Sequence, residues 1–430
     1  MIGRWWRRRK PEERLRPARK EMLVASYQDE TRVAVLEEGR LQEIFVEHRD
    51  RRSIVGDIYK GRVQNVLPGM EAAFVDIGHR RNALLYVGDI FIPRGSQASR
   101  RGRPEIGRLL KPGQEVVVQV TKDPMGGKGA RLTTYLSIAG RYLVLLPQLP
   151  TIGVSQKLEP GERDRLRELA EKIRQDGMGL IVRTAARGAG EEELRKSYGY
   201  LLKLWKGIQK DMQKKKAPSP LYLEPELEIK VMRDVLDSTF ERVLVDSEKK
   251  YKRVRQYLKE VAPELADRVS LYEGSQPLFE VMGVNQQIKE ALKREVPLPS
   301  GGTIIIDHTE ALTVIDVNTK SYVGKNSLED TVLRTNLEAV KEIAHQLRLR
   351  DIGGIIIIDF IDMNEPQNRR KVLRSLHQEL EKDRTKAYVV DLTKLGLVEL
   401  TRKNVSEGLL EAFSEKCPVC DGRGVIFREP

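Results

Sequence analysis

Two predicted strands of this 430-residue chain end in acidic side chains. The run ALTVIDVN carries Asp316 and Asn318 on one face, because side chains along a strand alternate with a period of two. The run GGIIIIDF delivers Asp359 at the end of a fully apolar stretch. A predicted helix separates the two acids in sequence, so both strands can lie in one sheet with their ends together, where ligands of open α/β sheets sit. Neighbouring carboxylates with no basic partner in the motif repel each other. A hard divalent cation relieves that repulsion: Mg²⁺ typically takes one or two carboxylates, keeps several waters and completes its shell with phosphate oxygens. Such an ion polarises a phosphodiester and activates water, with Asn318 orienting the phosphate or supporting a ligand. The competing reading makes these acids turn residues or helix caps.

The second candidate is the C-x-x-C of CPVCDGRG, Cys417 and Cys420, which are the only cysteines of the chain. A redox pair is one reading. The Gly-rich knuckle does not open a helix after a strand, and it suits zinc better. A structural zinc site wants four ligands, and none of His48, His79, His308, His345 or His377 is close in sequence. Two chains sharing one Zn²⁺ through four thiolates is the economical solution, and distant ligands of the same chain are the alternative. His308 falls in a predicted turn and receives no catalytic role.

Around the acids, GGTIIIDHTEALTVIDVN reads as two strands, LEDTVLRTNLEAVKEIAHQLRLR as a long helix with apolar residues at 3–4 spacing, NEPQNRRKVLRSLHQELEKD as a second helix and KAYVVDL as a further strand. That ββαβαβ order predicts an α/β layered sheet. Upstream, residues 22–47 alternate as strands, and residues 56–90 and the run GQEVVVQVTKDPMGGKGARLT give short strands broken by glycine and proline. Short strands with interleaved Lys and Arg predict a small barrel of the RNA-binding OB type. The run RGSQASRRGRP, with Arg94, Arg100, Arg101 and Arg103, reads as a basic loop inside it. Between residues 136 and 227, LVLLP and MGLIVRT flank a charged helix, and a second helix runs to the breaker APSP.

The formal charge of +13 is unevenly spread: residues 1–20 hold nine Lys/Arg against Glu12 and Glu13, a net of +7, and the remainder nets +6. This basic arm, with Trp5 and Trp6 beside Arg7, Arg8 and Arg9, suits a polyanion such as RNA or an anionic membrane surface. A solvated, disordered tail is the plain alternative. No apolar run is long enough for a membrane span, and no secretory signal is recognisable, so a cytoplasmic location is expected.

The strings LPSGGTIIIDHTEALTVIDVN, NLEAVKEIAHQLRLRDIGGIIIIDFIDM and CPVCDGRG, with IYKGRV, EAAFVDIG and MGLIVRTA upstream, closely resemble ribonuclease E/G catalytic domains from about residue 22 to 427. The resemblance implies an endoribonuclease of single-stranded RNA that leaves 5′-phosphate and 3′-hydroxyl ends and acts in RNA processing and mRNA decay. It implies Asp316 and Asp359 as Mg²⁺ ligands and Asn318 as their helper in a DNase I-like subdomain, residues 291–413. Residues 22–52 and 228–290 would form an RNase H-like subdomain. Residues 53–135 would be an OB-fold (S1 motif) clamp, with Phe74 stacking on a base and Lys60 and Lys128 near the RNA backbone. Residues 136–227 would sense a 5′-monophosphate through Arg183 and Thr184. Residues 1–21 would be the basic arm. Residues 414–430 would carry the zinc link of a homodimer, with a tetramer as the larger assembly.

Three positions depart from the family pattern. Leu84 stands where a second stacking aromatic is expected, and Lys386 where an Arg would assist the sensor; Lys cannot make a bidentate fork to phosphate. The sequence also stops soon after the cysteine knuckle, so the small domain that follows it in the family is not expected. The rival function is a non-catalytic RNA-binding protein that keeps the fold. Intact Asp316, Asn318 and Asp359 speak against it, since a binder has no need of all three.

Overall fold

The computed structural model describes residues 19–92, 105–124, 128–175, 177–320, 328–393, 395–403, 408–415, 417–420 and 424. Most of the basic arm, the loop with Arg94, Arg100, Arg101 and Arg103, and most of the segment after Cys420 lie outside the described residues.

The acid-bearing segment folds into a six-stranded sheet in the order Glu295–Pro297, Thr303–His308, Leu312–Asn318, Gly354–Asp359, Val398–Arg402, Ala387–Leu392. Only the pair Leu312–Asn318 and Gly354–Asp359 is parallel. A parallel pair needs a crossover, and the helix Leu328–Leu349 lies between its two strands in sequence. Strand alternation then sorts the side chains. Ile304, Ile306, Ile315, Val317, Ile356 and Ile358 form one core with Ala339, Val340, Ile343, Val372 and Leu376 of the helices Leu328–Leu349 and Pro366–Glu381. The intervening residues, Asp316 and Asp359 among them, therefore point to the other face.

A second sheet joins distant parts of the chain. The antiparallel meander Lys20–Ser26, Glu30–Glu37, Arg40–His48 is extended on its first strand by Arg242–Val245 and then Val269–Leu271, both parallel. Lys20 and Glu21 belong to this sheet rather than to the basic arm. Glu21 is fully buried and accepts from Arg242 Nε at 2.5 Å. A buried pair of this kind adds little net stability, yet removing one partner would strand the other charge.

Strands Ile58–Leu67, Ala72–Asp76, Ala83–Tyr86, Arg131–Thr133 and Glu115–Lys122 close into a five-stranded barrel, because Ile58–Leu67 pairs with both Ala72–Asp76 and Glu115–Lys122. The strand Ser219–Tyr222 pairs with the same Ile58–Leu67 strand. Residues that the sequence places at the end of the sensor segment are thus part of the barrel's sheet. The rest of the segment 136–227 has four short strands, in the order Ile152–Val154, Gly179–Val182, Leu143–Leu146, Ile138–Ala139, whose core takes in the helices Pro160–Ile173 and Glu191–Lys214. Lys157 of this unit donates to the carbonyls of Asp383 and Arg384 at 2.7 and 2.8 Å, tying it to the six-stranded sheet's unit. Among the described residues no helix is long and apolar enough to cross a membrane.

Candidate active site

Asp316 and Asp359 are register partners across the one parallel pair of the six-stranded sheet. Adjacent strands lie roughly 4.8 Å apart, so the two carboxylates leave the same face side by side. Asn318, two residues on and on the same face, donates from Nδ2 to Asp316 Oδ2 at 2.7 Å and fixes that carboxylate's orientation. Burial, and then the charges of Asp316 and Asp362, hold the Asp359 carboxyl above the usual carboxylate range. No Lys or Arg forms an ion pair with either acid among the described residues. The nearby Arg294 is occupied by Asp307, at 2.5 and 2.6 Å. Two aligned, mutually repelling carboxylates without a cation suit a hard divalent metal ion. Among the described residues no group of three or more His, Cys, Asp or Glu is placed to hold a metal ion by itself.

The surroundings hold these groups in place. Asn336 of the long helix is fully buried; its Nδ2 donates to Ile361 O at 2.8 Å and its Oδ1 accepts from Ile361 N at 3.1 Å. Glu329, two turns earlier, accepts from Asn364 N, Glu365 N and Asn368 Nδ2. One helix thereby pins the segment that leaves Asp359. At the other strand, a Cβ on Gly302 would lie 2.7 Å from Asn318 O and 3.0 Å from Thr335 Cγ2, so only glycine allows that approach. Sequence reasoning missed Asn336. Its signal was a polar residue on the apolar stripe of Val332, Ala339, Val340 and Ile343.

Arg183 follows the strand Gly179–Val182. Its Nη1 donates to Gly140 O at 2.7 Å and pairs with Asp234 at 2.6 Å, leaving the side chain about a quarter exposed. Asp234 is also held by Arg233 at 3.1 Å. Burial alone would raise the Asp234 carboxyl, but the two guanidiniums keep it below its ordinary value. Thr184 is exposed and shares a 2.7 Å hydrogen bond with Ser155. Arg183 and Thr184 are therefore brought together at one strand end, and the anchor Asp234 was not legible in sequence. Lys386 is exposed and lies over the Tyr388 ring at 4.8 Å.

On the barrel, Ala73, Val75 and Ile77 are core residues, so Phe74 between them faces outward and is partly exposed. Its neighbours in register are Asn65 and Leu84, with Arg131 beyond Leu84. Lys128 is exposed, next to Gly129, whose Cβ would strike Asn82 O at 2.0 Å. Lys60, expected near the RNA backbone, has partners within the fold. Its ammonium is bound by Glu115 at 3.0 Å and by the carbonyls of Met212 and Lys215 at 3.1 and 3.0 Å. Three donors meet three acceptors, so Lys60 joins the barrel to the helix Glu191–Lys214 and its neighbour Lys215 rather than presenting a free charge.

A family model described as the ribonuclease E/G family matches residues 137–405, and one for the S1 RNA-binding domain matches residues 52–134. The chain is 45% identical over 412 residues to ribonuclease G of Haemophilus influenzae, covering 94% of this chain and 84% of that protein. It is 46% identical over 414 residues to ribonuclease G of Escherichia coli, again with 94% and 84% covered. The chain belongs to the ribonuclease E/G family. Ribonuclease E of Escherichia coli is a more distant relative, 40% identical over 414 residues that make up 95% of this chain and 39% of that protein.

In this ribonuclease E/G chain the cysteine pair lies near the end of the described residues. Cys417 is exposed and Cys420 partly so. Backbone N–H groups of Cys420 and Val419, and the Cys420 side chain, hold the Cys417 thiol below its ordinary range. Gly424 N donates to Cys420 Sγ at 3.2 Å. The N–H groups at Cys417 favour its thiolate, the form that binds metal.

Proposed function

We propose that this ribonuclease E/G chain is an Mg²⁺-dependent endoribonuclease that cuts single-stranded RNA to 5′-phosphate and 3′-hydroxyl ends. The register pairing of Asp316 with Asp359, oriented by Asn318, carries the reading. Asp316 and Asp359 would hold the ion, and Asn318 keeps one carboxylate turned toward it. The bound ion supplies Lewis-acid polarisation of the phosphodiester and a water of lowered pKa. The outward Phe74 offers a stacking surface for a base, and exposed Lys128 a charge for the backbone. Arg183 and Thr184 would read a 5′-monophosphate through charge-assisted hydrogen bonds, with Asp234 and Gly140 O holding the guanidinium in place. Cys417 and Cys420 would share Zn²⁺ with a second copy in a cytoplasmic homodimer. The labels RNase H-like for the five-stranded sheet and DNase I-like for the six-stranded one belong to the same reading.

Matched single-stranded RNAs with 5′-phosphate or 5′-hydroxyl ends, incubated with Mg²⁺ or EDTA, test it when the product ends are mapped. Internal cuts with 5′-phosphate products only in Mg²⁺, faster on the phosphorylated strand, are expected. Binding without cleavage would favour the non-catalytic alternative.

A further inference from the structure

Just beyond Asp359 the chain turns through Phe360, Ile361, Asp362 and Met363 and forms one wall of a cavity of about 230 Å³. Phe360, Met363 and Leu373 give it an apolar floor, and Leu395 at its mouth is 84% exposed. Two charged groups complete the lining. Asp362 is exposed and has no hydrogen-bond or ion-pair partner among the described residues; its Oδ1 faces the turn at Gly396, where a Cβ would lie 4.0 Å away. Arg369 spends Nε on Met363 O at 2.8 Å, which leaves the rest of its guanidinium at the rim. The wall is preorganised, because Asn336 fixes Ile361 at both backbone groups.

We propose that this cavity takes one base of the RNA strand beside the scissile phosphate and that Asp362 makes it favour guanine. The proposal rests on the endoribonuclease reading above. The volume is below the roughly 300–1,000 Å³ of pockets that enclose whole ligands, as suits one splayed base of a longer strand. Phe360, Val372 and Val398 of the lining belong to the helix-side core, but Asp362 lies close enough to Asp359 for its charge to act there, so a phosphate at the paired acids brings an adjoining nucleotide within reach of the cavity. RNA sequence is read on unstacked bases through their edges. A carboxylate only accepts, and guanine alone among the four bases presents a ring N–H and an amino group side by side. Leu395 packs on the base, and Arg369 stacks as a planar cation.

Inosine is guanosine without the amino group, which makes it the probe. A series of otherwise identical strands carries guanosine or inosine at each position within three nucleotides of the cut. At one position the wild type should show a guanosine-to-inosine ratio of about ten in kcat/KM, the worth of one charge-assisted hydrogen bond. Asp362→Asn should bring that ratio below about two at the same position. Leu373→Trp, which fills the cavity, should do the same while leaving the folded structure intact by circular dichroism. In EDTA, where no cleavage is needed, a 6-thioguanosine strand should photocrosslink to the peptides bearing Leu373 and Leu395. Ratios near one at every position in the wild type, a ratio still near ten in Asp362→Asn, or crosslinks confined to other peptides would overturn the proposal. A wild type that cuts no strand in Mg²⁺ defeats the endoribonuclease reading, and the crosslinks still decide the base site.

Discussion

Asn336 and Ile361 are joined by two hydrogen bonds, amide to backbone in both directions, at 2.8 and 3.1 Å. The pair fixes where the chain goes two residues after Asp359. Asn336→Ala would leave the part-buried N–H and C=O of Ile361 without this partner, at a cost below the roughly 1–3 kcal/mol that each would carry if fully buried. The metal-ligand geometry should loosen with it. Mn²⁺ binding followed by electron paramagnetic resonance should weaken by about tenfold, and Asn336→Asp, which keeps the acceptor for Ile361 N–H, should lose less. Equal Mn²⁺ affinity in wild type and Asn336→Ala would remove the positioning role.

Arg183 is held between Asp234 and Gly140 O. Arg183→Ala leaves Asp234 with Arg233 as its counterion, so the local fold should survive. A terminal monophosphate is a dianion or nearly so and loses a charged donor; a 5′-hydroxyl loses little. The ratio of kcat/KM for 5′-phosphate over 5′-hydroxyl RNA should fall on the order of 10- to 100-fold, with the loss on the phosphorylated strand. Equal losses on both strands would show that Arg183 is no sensor.

Glu342 gives a pH prediction for the junction between the long helix and the strand Arg40–His48. Burial would raise its carboxyl, but hydrogen bonds from His345, Gln346 and Arg40 bring it down to about 2. A depressed acid stabilises the fold above its unfolded value, and the contribution is lost as pH falls through the folded value. The window is therefore from about 4.5 down to about 2. The full contribution is on the order of 3 kcal/mol. Urea midpoints across that window should fall less steeply for Glu342→Gln than for wild type. Parallel curves for the two proteins would show that Glu342 contributes no such pH dependence.

Much of this architecture is legible in sequence because period and burial coincide. TIIIDH, TVIDVN and GIIIID show their strands by alternation or by unbroken apolar runs, and the order of elements gives the α/β layering. Lateral order is another matter. The strand Val398–Arg402 lies between Gly354–Asp359 and Ala387–Leu392, which nothing in its own residues announces. The type and barrel position of Lys60 suggest an RNA contact, but not its partners within the fold. Glu115 and the carbonyls at Met212 and Lys215 that occupy it come from elsewhere in the chain, and long-range pairing leaves no local mark. Asp234 beside Arg183 is invisible for the same reason.

The cysteine knuckle offers a stoichiometry. If Cys417 and Cys420 supply half of a tetrahedral site, purified protein should hold about half a zinc ion per chain. Cys417→Ser should lower both zinc content and the dimer fraction in sedimentation. A monomeric wild type with a full zinc ion per chain would refute the shared site.

The central claim is that the register-paired acids Asp316 and Asp359 do the chemistry. Single-turnover cleavage of one 5′-phosphorylated single strand in Mg²⁺, with RNA affinity measured in parallel, tests it most directly. Asp316→Asn and Asp359→Asn should each abolish cleavage while binding RNA nearly as tightly as wild type, since neither touches the barrel. Substantial Mg²⁺-dependent cleavage by either purified variant would contradict the account.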